Sequence, residues 1–198
     1  MQKAKKKFKA ELIVNCGSMF SGKTTALISQ GQRYSLAGAN VVFLKPSFDT
    51  RWSVDEITTH SHLGVPATVV DISKSIVKVP EVEGAEVVLI DEVQFFKMDL
   101  IVDDIQTLLD SGKVVVVSGL DLDSDANVFE ITSTLMAKAD KVFKYNAVCE
   151  YCGDNAWVSA KKGSGDRLQL GGKETYFALC RKCYTEFRNK MGSDGECQ

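Results

Sequence analysis

The stretch Asn15–Thr25 reads NCGSMFSGKTT. Gly17, four intervening residues and then Gly22, Lys23 and Thr24 make a Walker A pattern, the signature of a phosphate-holding loop. The residue types follow from the task. Phosphate oxygens are held mainly by backbone N–H groups, and side chains at the glycine positions would block their approach. Lys23, read as part of a solvent-accessible loop, supplies a point charge to β- and γ-phosphates, and the Thr24 hydroxyl suits Mg²⁺. The flanks agree with this reading. ELIVN, residues 11–15, is a short apolar run suited to a buried strand, and TTALISQGQRYSLAG, residues 24–38, reads as a helix whose N-terminus favours anions. A glycine turn that matched by accident would need neither.

Further along, VVFLKPSFDTRWS (residues 41–53) opens as a second apolar strand and turns polar around Asp49 and Arg51. AEVVLIDEVQFF (residues 85–96) is a third strand ending in two carboxylates, and KVVVVSGLDLD (residues 113–123) is a fourth with the same finish. Between them Leu100, Ile101, Ile105, Leu108 and Leu109 recur at helical spacing, and Gly112 is a natural stop. Strands that are apolar throughout and alternate with helices predict an α/β fold with a mainly parallel, P-loop NTPase-like sheet covered on both faces. Polar residues gather at the carboxyl ends of these strands, where open α/β sheets bind ligands.

Asp91 closes VVLID at the Walker B position, which holds Mg²⁺, and is expected to stay ionised on the metal. Glu92 follows it, and a carboxylate beside a metal site can accept a proton from water or from a substrate hydroxyl. The Asp-Glu pair alone leaves both nucleophiles open, and a solvated strand end is the ordinary structural reading of such a pair.

The last quarter changes character. Cys149 and Cys152 form one C-x₂-C pair and Cys180 and Cys183 another, with 27 residues (153–179) between them. Four thiolates in two knuckles match a closed tetrahedral Zn²⁺ site; disulfides or unpaired thiols are the alternatives. The spacer holds KGSGDRLQLGGKE, glycine-rich and polar, which predicts a long loop tied at its base by metal. Of the six cysteines, Cys16 reads as a small buried residue at a strand end and Cys197 as part of a frayed tail.

A chain of 198 residues with 44% hydrophobic residues suffices for one α/β domain and a small appendage. No apolar run approaches the roughly 20 residues of a membrane span, MQKAKKKFKA lacks the apolar segment of a signal peptide, and a cytoplasmic location is expected. A formal net charge of −2 forces no large basic surface, and the N-terminal lysines read as a solvated end. The expected organisation is a disordered basic tail at 1–10, a nucleotide-binding domain at 11–145, a zinc-binding and lid domain at 146–190 and a flexible tail at 191–198.

GSMFSGKTT, DTRWS, IDEVQFF, GLDLD and GGKETYFALCRKCY, in this order and with two C-x₂-C pairs, closely resemble the type II, zinc-containing thymidine kinases. The resemblance runs from about residue 11 to residue 188, and the ordered set is far more specific than any one motif. It implies a P-loop domain with a small C-terminal zinc ribbon carrying a lid, or lasso, loop. It also implies ATP-dependent phosphorylation of the 5′-hydroxyl of thymidine or deoxyuridine, MgATP as co-substrate, a structural Zn²⁺, a homotetramer, and no stable binding to nucleic acid or membrane.

Carried over residue by residue, the resemblance places Gly17, Ser18, Met19, Phe20, Ser21, Gly22, Lys23, Thr24 and Thr25 around the phosphates. Arg51 would reach the transferred group, Asp91 the metal, and Asp49 the metal's surroundings. Glu92 would be the general base. Met19, Phe95, Leu120, Phe129 and Tyr176 would face the nucleoside, with thymine held largely by backbone hydrogen bonds under the lid. Cys149, Cys152, Cys180 and Cys183 would bind zinc, which anchors the lid and takes no part in the chemistry.

One departure is visible. After GLDLD the family continues with an aromatic residue, an arginine and then a Pro-Phe-like pair, whereas this chain has Ser124 and Asp125 and keeps only Phe129. A lost ring forfeits about 0.5–1.5 kcal/mol of aromatic pairing beyond area burial. Val93, where a smaller residue is frequent, is expected to be neutral. Two other classes fit parts of the pattern: a nucleic-acid-dependent ATPase whose ribbon grips a strand, and a regulatory nucleotide binder that has lost catalysis. The first lacks a basic and aromatic run in the ribbon, and the second should lack Lys23, Asp91 or Glu92, all of which are present.

Overall fold

The computed structural model describes residues 8–47, 56–58, 64–162, 171–172 and 174–193. In chain order the elements are β1 (Glu11–Gly17), α1 (Lys23–Leu36), β2 (Val41–Pro46), β3 (Glu56–Thr58), β4 (Gly64–Pro66), β5 (Thr68–Val70), α2 (Pro80–Glu83), β6 (Val87–Ile90) and α3 (Met98–Asp110). They continue with β7 (Val114–Gly119), α4 (Glu130–Lys138), β8 (Lys141–Tyr145), β9 (Ala147–Val148), β10 (Asn155–Ala156), β11 (Val158–Lys161), β12 (Tyr176–Leu179) and α5 (Arg181–Ser193). Among the described residues six strands form one sheet in the order β5-β2-β6-β7-β1-β8, and every pairing in it is parallel.

The apolar runs are explained by what covers each face. Along β6 and β7, Val88, Ile90, Val115 and Val117 pack with Ile101, Ile105 and Leu108 of α3 and Ile131 and Leu135 of α4. Their alternate neighbours Val87, Leu89, Val114 and Val116 pack with Leu27, Ile28 and Tyr34 of α1. Successive strand side chains point to opposite faces, so a strand coated on both sides is apolar at every position. β5 and β8, which no apolar run announced, are the two edges. β8 (KVFKY) is mostly exposed, which is why lysines interrupt it.

The sheet register sets the site. Cys16 pairs with Gly119, Ile90 with Val117, and Gly17 with Tyr145, so the loops leaving β1, β6 and β7 emerge together at the carboxyl edge. Beyond Tyr145 the chain forms two antiparallel pairs, β9 with β10 and β11 with β12, followed by α5. Their core is Val158, Ala160, Phe177, Leu179, Tyr184 and three of the cysteines, and Phe20 of the Walker loop and Ala126 of the β7–α4 loop pack against it.

Two boundaries differ from those read in the sequence. Phe8, placed there in a basic tail, sets its ring edge-on against Tyr34 at 5.2 Å, an aromatic anchor that lysine-rich composition hides. Helix α5 continues to Ser193, past residue 190. Residues 1–7 lie outside the described residues, as do Asp49, Arg51 and positions 163–170 and 173 of the expected lid.

Candidate active site and cysteine cluster

Gly17 and Gly22 both have left-handed backbone, with φ of +139° and +86°. A Cβ at Gly17 would sit 2.1 Å from the carbonyl oxygen of Tyr145, so only glycine lets the loop leave β1 beside β8. Gly22 caps α1, and Lys23 is the first helical residue. Here the structure corrects the sequence reading: Lys23 is buried, and its Nζ donates to the Ser18 carbonyl at 2.7 Å. The loop wraps back over its own lysine, which places the ammonium inside the cradle instead of at its rim. Burial pushes the Lys23 pKa below its ordinary value, against the opposing charges of Glu92, Asp91 and Asp121. Ser18 is buried, Met19, Phe20 and Ser21 are half-buried, and Thr25 is exposed on α1.

The Thr24 hydroxyl meets the Asp91 carboxylate at 3.1 Å, which unites the two groups read as Mg²⁺ ligands. Two hard oxygen donors at a helix N-terminus fit a small divalent cation beside phosphate. Burial and the neighbouring Glu92 charge raise the Asp91 pKa to about 7, so the protein groups alone make its ionisation costly, and the ionised state was expected from the sequence only on the metal. A cation at this carboxylate would reverse that balance. Glu92 adopts φ 52°, ψ 44°, a conformation uncommon for a residue with a Cβ, as the chain turns sharply out of β6. Its main-chain N–H donates to Asp91 Oδ1 at 3.0 Å, and its Oε2 accepts from the Gln94 amide at 2.5 Å.

Phe95 is half-buried in the short 3₁₀ turn Val93–Phe95, and Leu120, also half-buried, donates its N–H to Gln94 Oε1 at 3.0 Å. Phe129 is buried ahead of α4, its N–H on the Asp121 carbonyl. Tyr176 is buried on β12 opposite Lys161. The two departing positions are engaged with α5: the Tyr184 hydroxyl donates to the Ser124 carbonyl at 2.9 Å, and Arg188 pairs with Asp125 at 2.6 Å.

Cys149, Cys152, Cys180 and Cys183 converge, with all four Sγ atoms within 4.8 Å of one another. A tetrahedron with Zn–S bonds of about 2.3 Å has sulfur edges of about 3.8 Å. The Cys152–Cys180 separation is 3.6 Å, close to that edge, and the group could hold a metal ion. Burial disfavours a charge on Cys149, but backbone N–H groups of Cys180, Tyr151 and Cys152 outweigh it and hold that thiol at about 6. Burial and the three neighbouring thiols push Cys183 up, as expected where crowded thiolates need a cation between them.

The thymidine kinase family model matches residues 10–184. The chain belongs to the thymidine kinase family. The thymidine kinase of Pseudothermotoga lettingae is 40% identical over 184 residues, covering 92% of this chain and 97% of the relative. That of Pyrobaculum aerophilum is 38% identical over 182 residues, 87% of this chain and 97% of the relative. That of Bacteroides thetaiotaomicron is 38% identical over 197 residues, 99% of this chain and 95% of the relative. The thymidine kinase match takes in the Walker loop, the Asp91–Glu92 pair and all four clustered cysteines. Among the described residues no helix is long and apolar enough to cross a membrane.

Three residues that contact these groups or lie beside them escaped the sequence reading. Gln94 is the lone polar side chain in VQFF, and that isolation was its signal. Asp121 was visible only as the aspartate of GLD; its buried carboxylate pairs with Lys144 at 2.8 Å. Ser159, buried in β11, accepts the Met19 N–H at 2.7 Å, and nothing local marks it.

Proposed function

We propose that this chain transfers the γ-phosphoryl group of ATP to the 5′-hydroxyl of thymidine, and of deoxyuridine. The observation that carries the reading is the Thr24–Asp91 contact at 3.1 Å with Glu92 next in the chain, beside a Walker loop, in a member of the thymidine kinase family. Backbone N–H groups of Gly17 to Thr25 cradle the phosphates, and Lys23, on the Ser18 carbonyl, is within the cradle to offset their charge. Thr24 and Asp91 would hold Mg²⁺, which neutralises charge developing on the phosphate oxygens. Glu92 takes the proton from the 5′-hydroxyl as its oxygen bonds to the γ-phosphorus and the bond to the β,γ-bridging oxygen breaks, releasing ADP. Arg51 is proposed to reach the transferred group, and Met19, Phe95, Leu120, Phe129 and Tyr176 to enclose the nucleoside.

The same reading extends to the rest of the molecule. Residues 11–145 would serve as the nucleotide-binding unit and 146–190 as the metal-anchored lid unit. The four clustered thiols would bind a structural Zn²⁺, and free thiols suit the cytoplasm. Exposed Val142 and Phe143 on edge strand β8 support self-association, for which we propose a homotetramer. A coupled ATP assay run in parallel with thymidine, deoxycytidine, single-stranded DNA and no acceptor tests the reading. Turnover is expected with thymidine, and turnover that requires DNA instead would refute it.

A further inference from the structure

We infer that Gln94 is a positioning residue, one whose side-chain amide locks the Glu92 carboxylate to the floor of the nucleoside pocket; this rests on the reading of Glu92 as the base. Gln94 is 5% exposed, and both ends of its amide are engaged. Oε1 accepts from the Leu120 N–H at 3.0 Å, and Nε2 donates to Glu92 Oε2 at 2.5 Å. The orientation is dictated by chemistry: a main-chain N–H can only donate and a carboxylate can only accept, so no flip of the amide satisfies both partners.

The two groups it joins come from different strands. Glu92 follows β6 with left-handed backbone, which a residue with a Cβ keeps only when its surroundings hold it. Leu120 follows β7, where the proposed nucleoside pocket begins. One buried amide therefore sets the distance between the proton acceptor and the wall against which the nucleoside rests. Gly119 makes room for it, since a Cβ there would lie 2.8 Å from Gln94 Oε1 and 2.8 Å from Val93 Cγ1. Two residues past Glu92, in the short 3₁₀ turn Val93–Phe95, Gln94 lies close enough in the chain for its amide to reach back to the Glu92 carboxylate.

A double-mutant cycle separates positioning from mere packing. Gln94→Met keeps length and removes both hydrogen bonds. It is expected to lower kcat about 10- to 100-fold, as misplacement of a reacting group does, with little change in KM for ATP. In a Glu92→Gln background the same change is expected to cost less than about 2-fold, because there is no base left to position. A full loss in both backgrounds, or parent-rate turnover by Gln94→Met, overturns the inference. Parent-rate turnover by Glu92→Gln removes the base itself, a distinct result that overturns both readings. Should Gln94→Met fail to fold, Gln94→Glu keeps the acceptor for the Leu120 N–H and sets a carboxylate against Glu92. It is expected to lose at least as much kcat, again only when Glu92 is present, and parent-rate turnover by it overturns the inference.

Discussion

The main-chain N–H of Met19 donates to the Ser159 hydroxyl at 2.7 Å, across 140 positions of sequence. The Walker loop is thus tied to the strand pair that follows the parallel sheet, and Phe20 strengthens the tie by packing into that pair's core. A loop that must present several N–H groups to phosphate depends on having its own geometry fixed before the ligand arrives.

Ser159→Ala leaves the Met19 donor without this acceptor. Loss of one partner from a buried hydrogen bond costs about 1–2 kcal/mol, and that loss should appear in urea unfolding. KM for ATP should rise more than KM for thymidine, since the affected loop is the one proposed to hold phosphate. Steady-state kinetics with each substrate varied in turn checks this; an unchanged midpoint with unchanged KM values would show that the contact carries nothing.

Two ties of the β7–α4 loop to α5 should differ in worth. Tyr184 is buried and its hydroxyl meets the Ser124 carbonyl at 2.9 Å, whereas the Arg188 and Asp125 side chains are 50% and 63% exposed. Tyr184→Phe should cost about 1 kcal/mol and raise KM for thymidine, because Phe129 and Leu120 flank the same loop. Arg188→Ala should stay within about 0.5 kcal/mol of the parent, with any effect shrinking in added salt. Thermal unfolding of the two variants at low and high salt decides it, and a larger loss for Arg188→Ala would reverse the ranking.

Much of this architecture is legible in local sequence because its signals are local. β1, the Walker loop and α1 are contiguous, a strand covered on both faces is apolar at every position, and the C-x₂-C spacing folds each knuckle by itself. What stayed hidden depends on partners distant in the chain. Ser159 is one serine in VSAK until β11 is laid against the Walker loop, and Tyr184 is an aromatic after a cysteine until Ser124 is brought to it. The substitutions at 124 and 125 read as a loss of aromatic packing. In the fold the one at 125 is also a gain, a carboxylate that Arg188 of α5 engages. Lys23 was misplaced for a related reason: the motif names the ammonium's target but not the Ser18 carbonyl that holds it inside the loop.

One Zn²⁺ per chain is expected on the four clustered thiols. Structural zinc binding in peptides is worth about 10–16 kcal/mol, so its removal should disorder the strand pairs and α5 rather than loosen them. Because the ligands must be thiolates, metal should be released on acidification. Cys149 works in the same direction: its depressed pKa contributes stability above the ordinary thiol value of 9.0 and loses it as pH falls through about 6. Metal analysis of freshly reduced protein dialysed across that range checks the prediction, and Cys183→Ser should retain no zinc at any pH. Absence of zinc at neutral pH would contradict it.

The central claim is that Glu92 accepts the proton of a deoxynucleoside hydroxyl, and Glu92→Gln tests it most directly because the amide keeps size and cannot act as base. General base catalysis contributes about 10²- to 10⁴-fold, or roughly 3–5 kcal/mol of barrier. Thymidine phosphorylation measured for parent and variant should show kcat falling by that factor, with KM for ATP and thymidine nearly unchanged. Thymidine phosphorylation by Glu92→Gln at the parent rate would contradict the assignment.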